Sequence, residues 1–363
     1  MNLAALRQVS ADFCSEVEQA AAGQESSLYW LMLDLAAATP LTSVSKIFAL
    51  SIGGSKAQFT WLEKTAVSSG SEYKISGEVT NINLPVFTSG DQLLAFMAAQ
   101  IPSEAEYVGI NFAYGAQQRD LDGLPDALLV AVKNKEHNFE GLVGKSLVQA
   151  LHGKLGNKHT KIGVVNDSVC LSMAARAAGI ARKESPVVCG VLGTGLNFSI
   201  SPRQGVYVIL EAGKFDILKI SPSLSYVGSL SNENLDMLLE KATAGKYLYQ
   251  HYNYSVTADQ SLASNQPLTS TLQLSERAAA GDKLAQKVMA DSASLIAAVI
   301  FGLAEYLGQK QLTIPMEGSL FWQGHNYQQL VTEAIAAISE DKLSVEFVEI
   351  PHSNLLGLAE IFS

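Results

Sequence analysis

The sequence predicts an α/β fold with two lobes, and three observations carry that reading. Apolar runs of strand length alternate with helical stretches along the 363 residues, two strand-rich blocks lie around 45–165 and 186–220, and a glycine-rich hairpin sits in each half. At roughly 150 residues per domain, the length corresponds to about two domains.

Each element follows from local pattern. Leu6, Val9, Phe13, Val17 and Ala20 recur at steps of three and four, so residues 3–22 read as an amphipathic helix stopped by Gly23. A second helical stretch is expected over 29–38, before Pro40. Residues 47–52 form an apolar run of strand length. Gly53-Gly54-Ser55-Lys56 interrupts it, and residues 57–62 then alternate with period two, which makes the unit strand, tight turn, strand. Short strands are expected at 73–75, 78–83 and 107–112, with a helix over 91–100. A helix over 145–155 leads to the apolar run 162–165. Another helix over 169–178 precedes a strand over 186–192 that Gly193-Thr194-Gly195 closes. The last third reads as mostly helical, with strands near 312–315 and 344–350. Its most apolar segment, 293–304, is too short for a membrane span of ~20 residues and reads as a buried helix.

Composition narrows the function classes. Twenty-five Lys and Arg against 35 Asp and Glu give a net charge of −10, and no run holds more than two adjacent basic residues, so nucleic acid is excluded as the main partner. An apolar content of 48% argues against disorder. Cys14, Cys170 and Cys189 form no metal-spaced pair and read as reduced thiols. The N-terminus lacks a charged segment followed by a continuous apolar one, so a cytoplasmic protein with no membrane association is expected.

Several motifs point to chemistry. Gly144-Lys145-Ser146 has the tail of a phosphate loop but lacks the upstream glycine, Phe139 standing there, and reads as an ordinary helix start. The two hairpin turns, Gly53-Gly54-Ser55 and Gly193-Thr194-Gly195, combine glycines that let backbone N–H groups approach a ligand with a hydroxyl donor. Between them, the strand over 162–165 ends in Asn166 and Asp167. Asp167 is either part of a helix cap or a general base that takes the proton of an attacking hydroxyl. Glu211 and Glu240 lie in apolar or small surroundings, where a carboxylate can accept hydrogen bonds from sugar hydroxyls or simply face solvent.

In order and spacing these pieces resemble the hexokinase family over essentially the whole chain. Phe48-Ala49-Leu50-Ser51-Ile52-Gly53-Gly54-Ser55 is similar to that family's F-L-A-L-D-L-G-G-T, and Val164-Val165-Asn166-Asp167-Ser168-Val169 to L-V-N-D-T-V. Residues 191–197 resemble V-G-T-G-T-N, 211–215 E-W-G-A-F, 239–248 F-E-K-M-I-S-G-M-Y-L and 316–321 V-D-G-T-L-Y. The resemblance implies an actin-like ATPase (ribonuclease H-like) fold with a central cleft. Its small lobe would be 45–165 joined by 351–363, and its large lobe 1–44 with 166–350. It implies an ATP- and Mg²⁺-dependent kinase acting on the 6-hydroxyl of a hexose, glucose in the first instance. Asp167 would be the base, and Lys135, Asn166, Asn197, Glu211 and Glu240 would hold the sugar. Gly53, Gly54, Ser55, Lys56, Gly193, Thr194 and Gly195 would line the ATP phosphates, and Gly318 and Ser319 would lie near the adenosine end. No residue is assigned as a metal ligand.

The chain departs from the family pattern in places that matter. Ser51 stands where the family carries a metal-placing Asp, Gln58 where it carries an Arg, and Ala113 and Gly115 where it carries the Ser and Pro of a sugar loop. These departures motivate an alternative, a hexose-binding regulatory protein without catalysis. The zinc-binding cysteine cluster of the bacterial repressor and open-reading-frame kinases is absent, and residues 211–214 lack their His.

Overall fold

The apolar stripe of the first twenty residues forms helix α1 (Leu3–Ala21), which Asn2 caps by accepting from the Ala5 N–H. It is the opening element of a computed structural model that describes residues 1–36, 44–54, 56–67, 70–130, 133–134, 137–156, 159–180, 184–219, 227, 236–258 and 266–363. Contacts divide the chain into two units, Met1–Trp30 with Val188–Ser199 and Ile209–Glu349, and Leu31–Val187 with Ile200–Val208 and Ile350–Ser363.

In the second unit a five-stranded sheet has the order β10-β5-β2-β3-β4. Its strands are β2 (Lys46–Ile52), β3 (Lys56–Val67), β4 (Gly70–Asn83), β5 (Tyr107–Phe112) and β10 (Lys161–Val165). β2 and β3 pair antiparallel across the expected glycine turn, Ile52 opposite Ala57, while β5 pairs parallel with both β2 and β10. The expected strands at 73–75 and 78–83 are one continuous strand, because antiparallel pairing with β3 carries through Gly77 with only a register shift opposite Phe59 and Trp61. Helices α2 (Gly90–Gln100) and α3 (Leu147–Leu155) contribute Leu93, Met97, Leu147 and Leu151 to the core beneath this sheet. Ser146 caps α3 by accepting from the Gln149 N–H, the ordinary helix start expected of Gly144-Lys145-Ser146. A hairpin of β6 (Ala116–Leu121) and β7 (Leu124–Leu129) and a short pair, β8 (Lys133–Asn134) with β9 (His137–Asn138), complete this region.

One expectation fails here. Residues 31–34 are strand β1 (Leu31–Asp34), not helix. The second part of β12 (Leu196–Arg203), β13 (Val206–Ile209) and β1 lie side by side, so pairing along an edge overrides a helical pattern only ten residues long. Asp34 ends the strand by accepting from the Ala36 N–H at 2.9 Å.

The C-terminal residues belong to this unit. Helix α11 (Ser353–Leu356) and the 3-10 turns Gly357–Phe362 pack on β5, β2 and helix α4 (Asp167–Ala177). Small residues make the room: a Cβ added at Gly109 would lie 2.8 Å from Leu358 Cβ, and one at Gly163 2.5 Å from Ile361 Cγ2. That docking brings Asn354 against the end of β2 and the start of β3.

In the first unit β12, β11 (Val187–Leu192), β14 (Gln311–Glu317) and β15 (Ser344–Val348) lie in that order, the last three parallel. The apolar segment 293–304 lies within α8 (Lys283–Tyr306), which is long and apolar enough to cross a membrane but has 14 buried residues packed among helices. α1 and α10 (Tyr327–Ser339) flank it, with α5 (Leu238–Thr243), α6 (Leu248–Ala258) and α7 (Thr271–Ala279). Ser10 Oγ donates to Ala298 O at 2.8 Å, and a Cβ at Gly302 would meet Ser10 O at 2.6 Å, so α1 and α8 touch backbone to backbone. Helix α9 (Ser319–Gln323) follows β14 directly.

Candidate functional site

In the first unit the turn after β11 organises three of the sequence candidates. Glu240, in the first turn of α5, accepts the Leu196 N–H on Oε2 at 3.0 Å, and a Cβ on Gly195 would lie 2.8 Å from that same oxygen. Glycine is therefore needed at 195 for the carboxylate to reach the backbone. Asn197 Oδ1 accepts from its neighbour Phe198 N at 2.8 Å and from Ala212 N at 3.3 Å, which ties the start of β12 to the one-turn helix Ala212–Lys214. Glu211 caps that turn with φ 49° and ψ 46°, a left-handed conformation that costs a non-glycine residue on the order of 1 kcal/mol. The start of β12 is thus tied to the α5 residue Glu240 through Leu196 and to the segment opened by Glu211 through Asn197, and all three residues are half-buried.

Lys214, three residues after Glu211, pairs with Asp236 just before α5 and lies 5.0 Å over the Tyr29 ring. Burial pulls the Lys214 ammonium down, but the Asp236 hydrogen bond and charge, with Tyr29, outweigh it and hold it above the ordinary lysine range. The Lys214 hydrogen bond holds the Asp236 carboxyl below its usual range. This pair links the segments that carry Glu211 and Glu240.

The turn itself is braced by backbone. Gly193 N–H donates to Gly195 O, Gly245 N–H donates to Gly193 O at 2.8 Å, and Lys246 N–H donates to Thr194 O at 3.2 Å, leaving the Thr194 side chain exposed. Gly318 has φ +118°, and a Cβ there would lie 2.2 Å from Leu192 O, so β14 delivers Gly318 and the exposed Ser319 directly against Gly193. The structure thereby groups Gly193, Thr194, Gly195, Gly318 and Ser319.

In the second unit β10 ends at Val165 and α4 begins at once. Asn166 is the N-cap, accepting the Ser168 N–H at 3.0 Å and the Ser168 hydroxyl at 2.8 Å, so the cap role belongs to Asn166. Asp167 is the first helical residue, half-buried, with Oδ1 accepting from Ser168 N at 2.8 Å. The Gly53-Gly54 turn is closed by Gly53 N–H donating to Lys56 O at 2.9 Å, and the buried Tyr114 hydroxyl donates to Gly53 O at 2.8 Å. Lys56 is exposed; Ser55 and Lys135 lie outside the described residues.

Comparison with known proteins bears on these features. Residues 249–362 match the family model for hexokinase. A hexokinase from Schistosoma mansoni complexed with glucose superposes with a TM-score of 0.72 at 15% identity, covering 100% of this chain and 95% of that one. The chain has the hexokinase fold. A glucokinase of the bacterial repressor and open-reading-frame type from Streptomyces griseus, in complex with glucose and AMPPNP, matches with a TM-score of 0.58 at 17% identity over 87% of this chain and 98% of its own. A hexokinase of that type from Thermus thermophilus matches with a TM-score of 0.58 at 16% identity, over 87% and 97%. No curated protein sequence matches the chain.

On this hexokinase fold the departures at Ser51 and Gln58 gain a structural setting. Ser51 is 4% exposed, and its Oγ accepts from Asn111 Nδ2 at 3.1 Å and from Asn354 Nδ2 at 3.0 Å. Asn354 Nδ2 also donates to Gln58 Oε1 at 2.6 Å, and Gln58 Nε2 donates to Asn81 Oδ1 at 2.6 Å. Five uncharged side chains from β2, β3, β4, β5 and α11 therefore form one chain of hydrogen bonds. Both lone pairs of the Ser51 hydroxyl are engaged, and the buried Asn111 Oδ1 is the acceptor left without a partner. Mg²⁺ asks for an octahedron of oxygens that includes carboxylate or phosphate. One amide oxygen beside a saturated hydroxyl does not meet that demand, and among the described residues no group of three or more His, Cys, Asp and Glu could hold a metal. The residues around Ser51 do not fit the cation that the family resemblance implies.

Sequence reasoning missed Asn111, Asn354 and the Lys214–Asp236 pair. Asn354 gave no local signal, since its partner Ser51 is 303 positions away. Asp236 follows a similar logic at a separation of 22.

Proposed function

We propose that the chain is a hexose kinase that transfers the γ-phosphoryl group of ATP to the 6-hydroxyl of a hexose, glucose being the first candidate. The observation that supports it best is that Glu240 and Asn197 are tied to the start of β12 and to the segment opened by Glu211, because carboxylates and an amide can accept from and donate to vicinal sugar hydroxyls. In this reading those residues hold the ring hydroxyls, and the Asn166 amide adds a donor. The 6-hydroxyl oxygen attacks the γ-phosphorus, its bond to the bridging oxygen of the β-phosphate breaks, ADP leaves, and the hydroxyl proton passes to Asp167. Backbone N–H groups of the Gly53 and Gly193 turns and the exposed Lys56 supply positive potential for the phosphates. The substrate and donor named in the structures of similar fold, glucose and an ATP analogue, support the assignment of both ligands. A coupled assay with glucose, fructose and mannose at millimolar ATP and Mg²⁺ tests it. Phosphorylation of at least one is expected, and no product with any of them overturns the reading.

The uncharged chain through Ser51 favours a second reading, a hexose-binding regulatory protein without turnover. Calorimetry separates the two. Glucose binding without nucleotide binding or turnover selects the second.

A further inference from the structure

The structure assigns to Asn354 and Ser51 a role in setting the donor chemistry: this chain places its phosphoryl donor without a divalent cation anchored at the Ser51 position, which the C-terminal helix fills with a neutral amide. The inference rests on the kinase reading for the identity of the donor, but it concerns a different property, the coupling between nucleotide and metal.

Three observations carry it. First, Ser51 is the next-to-last residue of β2, two residues before Gly53, and its hydroxyl oxygen is saturated by two amide N–H donors. A lone pair already engaged in a hydrogen bond cannot also ligate a cation. Second, the side chains joined to it, Gln58, Asn81, Asn111 and Asn354, are amides, so the cluster carries no charge to offset a dication in a place only 4% exposed. Third, Asn354 arrives from the C-terminal helix and hydrogen-bonds both Ser51 and Gln58 through one nitrogen. The two positions where the family resemblance places an Asp and an Arg are therefore joined here by a single neutral side chain. Removing an acid and a base together and bridging the gap with an amide keeps the cluster satisfied, which a lone loss of either charge does not.

The same geometry says how to reverse the property. Two N–H donors converge on the Ser51 oxygen, an environment that also receives a carboxylate. Ser51→Asp therefore restores a charge at the strand end. Asn354→Asp, on a half-buried and more tolerant helix position, delivers one to the same place from the other side and guards against a misfolded first variant.

The test measures the affinity of the full-length protein for AMPPNP by calorimetry, with saturating Mg²⁺ and with EDTA, and glucose present in both. The expected result is a change of less than threefold for the native chain and at least tenfold tighter binding with Mg²⁺ for Ser51→Asp or Asn354→Asp. Asn354→Ala should stay within threefold, like the native chain. A tenfold Mg²⁺ dependence in the native chain overturns the inference, and so does either no gain in both carboxylate variants or no nucleotide binding by any of the proteins. Failure of the kinase reading shows separately, as absence of sugar phosphate in the coupled assay while the pattern of nucleotide affinities stands.

Discussion

The two units build their candidate residues on different electrostatic plans. In the first, the Glu240 carboxylate is steadied by a backbone donor, Leu196 N–H, and the Asn197 side chain accepts from Ala212 N–H in the turn that Glu211 opens. In the second, the residues around Ser51 are uncharged and steadied by one another. A backbone donor is fixed by the fold and keeps a charge in place at little entropic cost. A chain of side-chain amides depends on its members, and replacing Asn111 or Asn354 removes a donor from the buried Ser51 hydroxyl. In the proposed function, charge stands where neutral hydroxyls would be read and is absent from the residues joined to Ser51.

Asp167 is the sharpest way to break that contrast, because it is the carboxylate that the proposed reaction assigns to the second unit. Asp167→Ala should lower kcat by about 10³, the usual range for loss of a general base, while hexose affinity by calorimetry stays within about tenfold. Equal loss in affinity and kcat would make Asp167 a binding residue instead. Gly318→Ala probes the backbone bracing of the first unit. With φ +118° and a Cβ 2.2 Å from Leu192 O, it should cost about 3 kcal/mol in chemical denaturation, from strain and overpacking together. An unchanged midpoint would mean the turn gives way easily.

Glu240→Gln keeps the size of the side chain and removes the charge. It should weaken hexose binding by about thirtyfold, equivalent to about 2 kcal/mol for hydrogen bonds to a charged acceptor, with little change in stability. The smallest effect is expected at Lys214 and Asp236. Asp236 is depressed, so its contribution is present above the ordinary carboxylate range, near pH 4, and is lost as the pH falls through its lowered value. Lys214 is raised, so its contribution is present below the ordinary lysine range, near 10.4, and is lost as the pH climbs through its raised value. Because Asp236 is 64% exposed, solvent screening limits the pair to below about 1 kcal/mol. Asp236→Asn should therefore shift the denaturation midpoint only slightly at neutral pH, and the shift should shrink as the pH falls through the lowered value. A large shift at pH 7 would show that the link between the Glu211 and Glu240 segments carries more than its exposure implies.

Much of this arrangement was legible in the sequence because it is local. The glycine turn between β2 and β3, the strand that ends in Asn166 and Asp167, and the start of α3 at Ser146 each follow from spacing within a dozen residues. The strand at Leu31–Asp34 was misread as helix, because its state is set by an edge partner some 170 positions later, which no local period records. Ser51 could be recognised as a departure but not explained. The residue that satisfies it comes from the far end of the chain, on a helix of four residues with no motif of its own.

The contact between α1 and α8 has a consequence for how the protein is made. Ser10 and Ala298 are 288 positions apart, so on a ribosome adding 5–20 residues per second the first helix waits on the order of half a minute for its partner. During that interval Leu6, Val9, Phe13 and Val17 have no α8 to cover them. Conversely, a chain shortened at the N-terminus would finish synthesis with one long face of an apolar 24-residue helix uncovered. Production of this protein should therefore depend on intact residues 3–21 far more than their distance in sequence from every candidate functional residue would imply, and their removal should send the product to aggregates.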